Sequence, residues 1–346
     1  MMKKILAVAV ATAFAAPAFA ATANVDVYGQ FHVSIDSLDN GTADGLNVSS
    51  NASNIGFKGS EDLGGGLSAI WQVESLLSVD GTGNLGSSRD TFAGLKGGFG
   101  TVRIGFFDTP MKQVSRTLDF FNNKIGDTRN LMGGATSNWE ARFNNGIRYD
   151  TPDMSGLSAS IHYSTQYGAG VGAAVTNNDN DAYALGLNYK NGPFLLMAAY
   201  QTADIAGSAA GDESAWRLGA GVKLGDITLN ALYHSASDQG GVVNADRKVY
   251  GLGAGYKMGN IGLAAQWYKA TDLKGNATPN QSADMFALGA DYSFSKRTTA
   301  YVAYARTSND ANGTFSMAGG GHGDNFSAVA SGQDPDGFSL GMIHRF

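Results

Sequence analysis

The charged residues with the most suggestive spacing lie in one stretch of the chain, residues 107–142. For about thirty-six residues this stretch breaks an alternation of apolar and polar side chains, whereas most connections between structural elements are about 4–6 residues long. The stretch carries Asp108, Lys112, Arg116, Asp119, Lys124, Asp127, Arg129 and Glu140, together with Phe120, Phe121 and Trp139. Such charges attract ions and order polar solutes. A loop of this length and composition is either a functional insert or disordered.

Other residue types that could carry catalysis or bind a metal lack a supporting pattern. No two histidines have a spacing typical of metal ligands. His162 lies two residues from Ser164, but that separation alone does not make a catalytic triad. Residues 80–84 and 177–181 are rich in oxygen ligands that suit Ca²⁺, although a solvated outer loop is the better explanation. We therefore expect no catalytic residue, no cofactor and no metal site.

The composition narrows the class of protein. The chain has no cysteine, so no disulfide or thiolate contributes. Its 24 basic and 30 acidic residues give a net charge of −6, whereas nucleic-acid-binding domains are usually basic, so we expect no nucleic-acid partner. The 48 glycines occur together with 14 tyrosines and 18 phenylalanines, and this aromatic content argues against disorder.

Residues 1–20 have the features of an export signal. Lys3 and Lys4 precede an apolar run over residues 5–16, and residues 18–20 form a small-x-small cleavage site. The run is shorter than the roughly 20 residues that a membrane-spanning helix needs. We therefore predict that residues 1–20 are removed and that residues 21–346 form one domain. Loss of the two lysines leaves 22 basic against 30 acidic residues, a net charge of −8.

The rest of the chain consists of sixteen segments in which apolar and polar side chains alternate with period two. Each has about 8–11 residues, the length of a tilted strand that crosses a membrane. Aromatic residues often end the apolar stripe, as Tyr183 and Tyr189 do, and Tyr250 and Tyr256. That placement is typical of aromatic girdles at two membrane interfaces.

The connections between these segments alternate strictly between long and short. Long polar links cover residues 36–53, 75–88, 107–142, 165–181, 202–213, 235–246, 270–283 and 306–336. The links between them are tight turns, such as residues 225–226 and 259–260. Long outer loops and short periplasmic turns are typical of outer-membrane barrels. The sequence therefore predicts an all-β protein, a sixteen-stranded antiparallel transmembrane β-barrel whose third loop, about residues 107–142, folds inward.

Five motifs spread over residues 25–346 carry a resemblance to a known family. They are residues 25–29 (VDVYG), 56–66 (GFKGSEDLGGG), 88–105 running into 108–110 (DTP), 144–152 (NNGIRYDTP) and 340–346 (LGMIHRF). With these motifs the chain resembles the Gram-negative general porins, most closely the trimeric sixteen-strand porins of β-proteobacteria. The resemblance implies a homotrimer in the outer membrane, in contact with its lipid.

The resemblance also implies a site. In that family the third loop carries acids that face basic residues on the barrel wall. By position the wall cations would be Lys58, Arg89, Arg103 and Arg148, with Glu74 also inward, and the loop acids would be among Asp108, Asp119 and Asp127. The alternation itself puts Lys58, Arg103 and Arg148 on the polar face. The loop lacks the Pro-Glu-Phe-Gly-Gly run of enteric porins, so its acids are not assigned one by one.

We therefore expect a porin for passive diffusion of ions and small hydrophilic solutes, with a weak anion preference, and no enzyme activity. Local charge at a constriction outweighs distant charge, which is screened beyond about 8–10 Å. Three alternatives stay open. A solute-selective channel would use inward aromatics such as Tyr28, Tyr268 and Tyr301. A surface adhesin would have a plugged lumen, and a lipid-hydrolysing barrel would use His162.

Overall fold

The computed structural model of the chain describes residues 24–81, 85–132, 137–167, 180–205, 207–275, 278–323 and 329–346. The predicted export signal, residues 1–20, lies outside the described residues and stays a prediction.

Nearly all regular structure in the described residues is β-strand. The strands are β1 (Asn24–Asp39), β2 (Asp44–Ser50), β3 (Asn54–Gly64), β4 (Leu67–Leu77), β5 (Leu85–Ser88), β6 (Thr91–Gly97), β7 (Gly100–Asp108), β8 (Arg142–Asp150), β9 (Leu157–Ser164), β10 (Ala182–Asn191), β11 (Phe194–Asp204), β12 (Asp212–Leu224), β13 (Ile227–Ser237), β14 (Arg247–Met258), β15 (Ile261–Ala270), β16 (Ala283–Ser293), β17 (Thr298–Asn309) and β18 (Asp336–Arg345). The helices are α1 (Pro110–Leu118), α2 (Arg129–Met132) and a 3₁₀ turn (Gln239–Gly241). Among the described residues, no helix is long and apolar enough to cross a membrane.

The strands form one antiparallel sheet that closes on itself. Each strand pairs with its neighbours in the chain, and β1 pairs with β18 from Gln30↔Arg345 to Asp39↔Asp336. Strands β2 and β3 pair with successive parts of β1, and β5 and β6 pair with successive parts of β4. Each short strand, β2 or β5, therefore shares one place in the ring with the strand that follows it. Eighteen strands less these two give a ring of sixteen, which confirms the predicted barrel.

The seam between β1 and β18 extends beyond the strand ladder. Gly29 N donates to Phe346 O at 3.3 Å, and Phe346 N donates to Gly29 O at 3.2 Å. The rings of Phe31 and Phe346 lie 5.7 Å apart. Because these contacts pair the first and last strands, the ring leaves no open sheet edge there.

The two faces of the sheet differ as the alternation predicts. On β12, Leu218 is 49% exposed, whereas its neighbour Arg217 is fully buried. A continuous apolar outer surface is rare on soluble monomers and is the lipid-facing band of a membrane barrel. Stacked aromatic rings cross the outer face near one end of the strands, with centroids 4.7 to 6.4 Å apart, and these are Tyr163 with Tyr183, Trp216 with Tyr233, and Tyr233 with Tyr250.

Candidate functional site

The connection between β7 and β8, residues 109–141, is here called the inner segment. It begins with α1, where Pro110 occupies the first turn and the Thr109 hydroxyl accepts a hydrogen bond from Lys112 N at 3.2 Å. A cap and a proline at these positions favour helix initiation. Buried apolar residues of the segment form the main hydrophobic cluster, including Met111, Val114, Leu118, Phe121, Ile125, Leu131 and Trp139.

Glycines on the inner face of the barrel make room for the inner segment. A Cβ atom on Gly219 of β12 would lie 2.2 Å from Leu118 Cδ1. On Gly255 of β14 it would lie 2.6 Å from the Phe120 ring. At these glycines the inner segment therefore approaches the wall more closely than it could if the wall residue had a side chain. Further glycines in such contact are Gly186 with Pro110, Gly253 with Phe120, and Gly289 with Phe121.

Polar wall side chains bind the same segment. Arg217 NH1 donates to Glu140 Oε1 at 2.6 Å and to Met111 O at 2.9 Å. Gln266 Nε2 on β15 donates to Asp119 Oδ1 at 2.9 Å. Asn230 Nδ2 on β13 donates to Leu118 O at 2.8 Å. Since these wall groups lie on the face opposite the exposed apolar residues, the inner segment packs inside the barrel along β9–β17.

The opposite wall carries the predicted residues Lys58, Glu74 and Arg89 as one cluster. Arg89 forms an ion pair with Glu74, and Tyr28 Oη donates to Glu74 Oε2 at 2.9 Å. Lys58 Nζ lies 5.2 Å from the centroid of the Tyr28 ring. The cations and the acid predicted for this wall therefore lie together on the same side of the lumen.

Arg103 and Arg148 share one carboxylate, that of Asp150. Arg103 NH2 lies 2.7 Å from Asp150 Oδ2, and Arg148 NH2 lies 2.7 Å from Asp150 Oδ1. Arg148 also donates to Gln113 Oε1 at 3.0 Å. The register places Arg103 beside Arg148, so the shared carboxylate offsets their mutual repulsion. Asp150 was not among the predicted site residues, although it lies two residues from Arg148 and therefore on the same face.

The three predicted loop acids are bound by groups of the inner segment and of the neighbouring wall. Asp108 is surrounded by Lys112 Nζ at 3.2 Å, Arg142 Nε at 3.1 Å and Arg116. Asp127 is fully buried and paired with Arg129. Asp119 accepts hydrogen bonds from Phe121 N, Thr128 N and Gln266. Each of these acids is therefore bound by neighbouring groups, and Asp108 contacts one basic residue of the wall, Arg142 at the start of β8.

Burial shifts the pKa values of two side chains in the inner segment, Asp119 and Lys112. Burial, and less strongly the neighbouring Asp127, raises the pKa of Asp119 to about 8. Burial also lowers the pKa of Lys112 from its ordinary value of 10.5, although the carboxylate of Asp108 opposes this shift. Lys112 therefore loses its charge at a lower pH than a solvated lysine does.

A cleft of about 580 Å³ remains between the inner segment and the wall. It is lined by five basic side chains and two acidic ones, together with the backbone of Gly320–Gly323. The charged lining residues are Arg89, Lys112, Arg116, Arg129, Arg142, Asp80 and Glu140. Several of these belong to the charged stretch noted in the sequence, and Arg142, its last residue, was not among the predicted site residues.

The residues considered for catalysis or metal binding have other contacts. The His162 ring stacks on the Phe107 ring at 4.6 Å, and the Ser164 hydroxyl donates to Asn144 O at 2.6 Å. No three histidine or acidic side chains are arranged to hold a metal in the part of the chain that the structure describes. Residues 82–84 and 177–179 of the two oxygen-rich stretches lie outside the described residues.

Comparisons with known proteins agree with this architecture. A family model described as Gram-negative porin matches residues 7–312. The major outer membrane protein P.IB of Neisseria lactamica is 30% identical over 321 residues, which cover 87% of this chain and 92% of that protein. The P.IB protein of Neisseria gonorrhoeae is 35% identical over 209 residues, 57% of this chain, and the match spans only 56% of that relative's length.

A solved structure matches over almost the whole chain. It is described as the anion-selective porin from Comamonas acidovorans, with a TM-score of 0.79 and 25% identity. The match covers 94% of this chain and 100% of that one.

Proposed function

The chain belongs to the Gram-negative porin family, and we propose that it forms a water-filled channel through the outer membrane for passive diffusion of ions and small hydrophilic solutes. The observation that carries this proposal is the polar cleft between the inner segment and the wall. A ring of sixteen strands encloses a lumen too wide for side chains to fill. Passive diffusion needs no catalytic residue, cofactor or metal.

We propose that the inner segment is the constriction of this channel. Its support is that the segment covers the wall along β9–β17 and leaves a cleft lined on the wall side by residues of β2, β4 and β8 and by Arg89. On this proposal Lys58, Arg89, Arg103, Arg148 and Glu74 are the wall residues of the constriction. Asp108, Asp119 and Asp127 maintain the shape of the inner segment.

We further propose an anion preference, carried by the cleft charges. Five basic side chains against two acidic ones give the cleft an excess of positive charge. Charges in the cleft act on a passing ion at short range, whereas outer-loop charges are screened beyond about 8–10 Å. The net negative charge of the chain therefore does not set the preference. The description of the Comamonas acidovorans porin as anion-selective supports the same assignment.

We propose a homotrimer, because the motifs resemble those of trimeric porins. The outer face of β1 and β18 is a suitable interface, since its exposed side chains are apolar and include several aliphatic residues. Val25 and Val27 are each 56% exposed, and Leu340 is 57% exposed. Apolar surface of this kind is buried either by lipid or by another barrel.

The test is single-channel recording in a planar bilayer under a steep salt gradient. We expect conductance steps in groups of three and a reversal potential on the anion side. A reversal potential on the cation side would overturn the assignment of the cleft charges and leave the channel intact. Well-folded protein without conductance would overturn the channel itself.

A further inference from the structure

The last outer loop, residues 310–335 as far as they are described, turns back toward the inner segment. Gly126 N donates to Met317 O at 2.7 Å, and Asn130 Nδ2 donates to the same carbonyl at 3.1 Å. Met317 is only 1% exposed. The two connections are therefore joined by backbone and side-chain hydrogen bonds within the barrel.

The same loop is also bound to the wall of the barrel. His322 Nε2 lies 3.3 Å from Asp36 Oδ2 of β1, and both side chains are fully buried. The next residue, Gly323, donates its N–H to Asn51 Oδ1 at 2.8 Å. Asp36 Oδ2 also accepts hydrogen bonds from Ser34 Oγ at 2.9 Å and Ser49 Oγ at 2.6 Å.

Burial makes the contact between His322 and Asp36 important for the position of the loop. A buried carboxylate that loses one of its partners destabilises the arrangement around it. Gly320–Gly323, which follow the contact at Met317 and include the contacts of His322 and Gly323, line the cleft. A Cβ atom on Gly321 would lie 2.5 Å from Arg129 NH2, so the loop backbone lies directly beside one of the cleft cations.

We propose that the last loop is a second constricting element and that His322 is the positioning residue that holds it in the channel. This inference rests on the proposed channel function. Two loops that meet across a lumen set its narrowest width together. If the contact with Asp36 is lost, Gly320–Gly323 are free to move outward, and the channel becomes wider on that side.

The experiment compares single-channel conductance of the wild-type protein with that of His322→Ala. We expect the alanine variant to conduct more, by roughly 1.5-fold, because the constriction widens. His322→Gln places an amide nitrogen near the position of Nε2, so it should restore the wild-type conductance. His344→Ala is the matched control, since His344 lies on β18 and bonds Thr298 Oγ1 at 2.9 Å, away from the cleft.

The outcomes separate the two proposals. Unchanged conductance of His322→Ala would overturn the inference, and so would an equal increase in His344→Ala. If His322→Ala does not fold, Asn51→Ala decides, because it removes the other wall contact and leaves the buried carboxylate intact. Increased conductance of that variant supports the inference and unchanged conductance overturns it. Absence of conductance in the wild type would instead contradict the channel function.

Discussion

The inner wall of the barrel has two halves that differ in the residues that face the lumen. On β10–β16, glycines such as Gly186, Gly219 and Gly289 leave space that the inner segment fills. On β3–β8, charged residues such as Lys58 and Arg103 occupy the corresponding inward positions. The covered half gains apolar packing, while the open half keeps charged side chains on its inner face, of which Arg89 lines the cleft. The comparison teaches that the position of the inner segment is set by where wall side chains are missing as much as by where charges are present.

The largest expected difference between the halves concerns their ion pairs. In the covered half, Arg217 is fully buried and Glu140 is its carboxylate partner. Glu140→Ala leaves a buried charge without that partner, and we expect the free energy of unfolding to fall by about 3–5 kcal/mol. Asp150→Ala in the open half should lose less, about 1–2 kcal/mol, since Arg103 and Asp150 are partly exposed and the buried Arg148 keeps its hydrogen bonds to Asp108 O and Gln113 Oε1. Urea unfolding of both variants measures this, and equal losses would contradict the comparison.

A side chain added to the covered half should disturb the packing of the inner segment. In Gly219→Leu the new side chain overlaps Leu118 and Val114, so we expect a loss of about 1–3 kcal/mol and a lower conductance as the segment is pushed into the cleft. Thr101→Leu adds the same side chain to the open half, where Thr101 pairs with Asp150 near the turn. A Gly219→Leu variant as stable as Thr101→Leu would refute close packing.

Removing positive charge from the cleft should weaken the anion preference without unfolding the barrel. For Arg116→Gln, which leaves the buried Asp108 paired with Lys112 and Arg142, we expect the anion-to-cation permeability ratio to fall by about 1.5-fold, because nearby charge is not screened. Reversal potentials under a salt gradient measure this ratio. Lys248→Gln is the control, since Lys248 is exposed at the start of β14 and is absent from the cleft lining. An equal shift in both proteins would argue against local control.

The smallest expected effect is a dependence of ion preference on alkaline pH. Lys112 is charged when protonated, and its pKa lies below the ordinary 10.5 because it is buried. The anion preference should therefore decline as the pH rises toward that value, earlier than a solvated lysine would allow. Lys112→Arg keeps its charge over this range, so its reversal potential should stay constant. A wild-type preference that is equally constant would show that Lys112 contributes little.

The sequence was sufficient for the barrel but only partly for the site. Period two determines which face a strand residue takes, so the inward positions of Lys58, Arg103 and Arg148 could be predicted from the alternation alone. The ring of sixteen followed from the lengths of the connections. The same alternation places Asp150 on the inward face. It does not show, however, that one carboxylate pairs with two arginines, so this role of Asp150 was not predicted.

The inner segment has no period from which side-chain directions can be read. The acids that face wall cations were expected among Asp108, Asp119 and Asp127. Asp108 contacts Arg142 of β8, whereas Asp119 and Asp127 are bound by neighbouring backbone N–H groups, Gln266 and Arg129. The contact between Arg217 and Glu140 joins residues 77 positions apart, and nothing local in the sequence indicates it. Charges in an irregular loop can be counted from the sequence, but their partners depend on how the loop folds.

The seam between β1 and β18 has a consequence for how the protein is assembled. These strands stand at opposite ends of the sheet in chain order, so their pairing has the greatest sequence separation and is entropically the slowest to form. Until they meet, each presents an unpaired backbone edge that a neighbouring copy could join. Formation of the seam is therefore the step at which an aggregation-prone open sheet becomes a ring without edges. Variants that weaken the contact of Phe346 with Phe31 should show their effect in folding yield before they alter the channel.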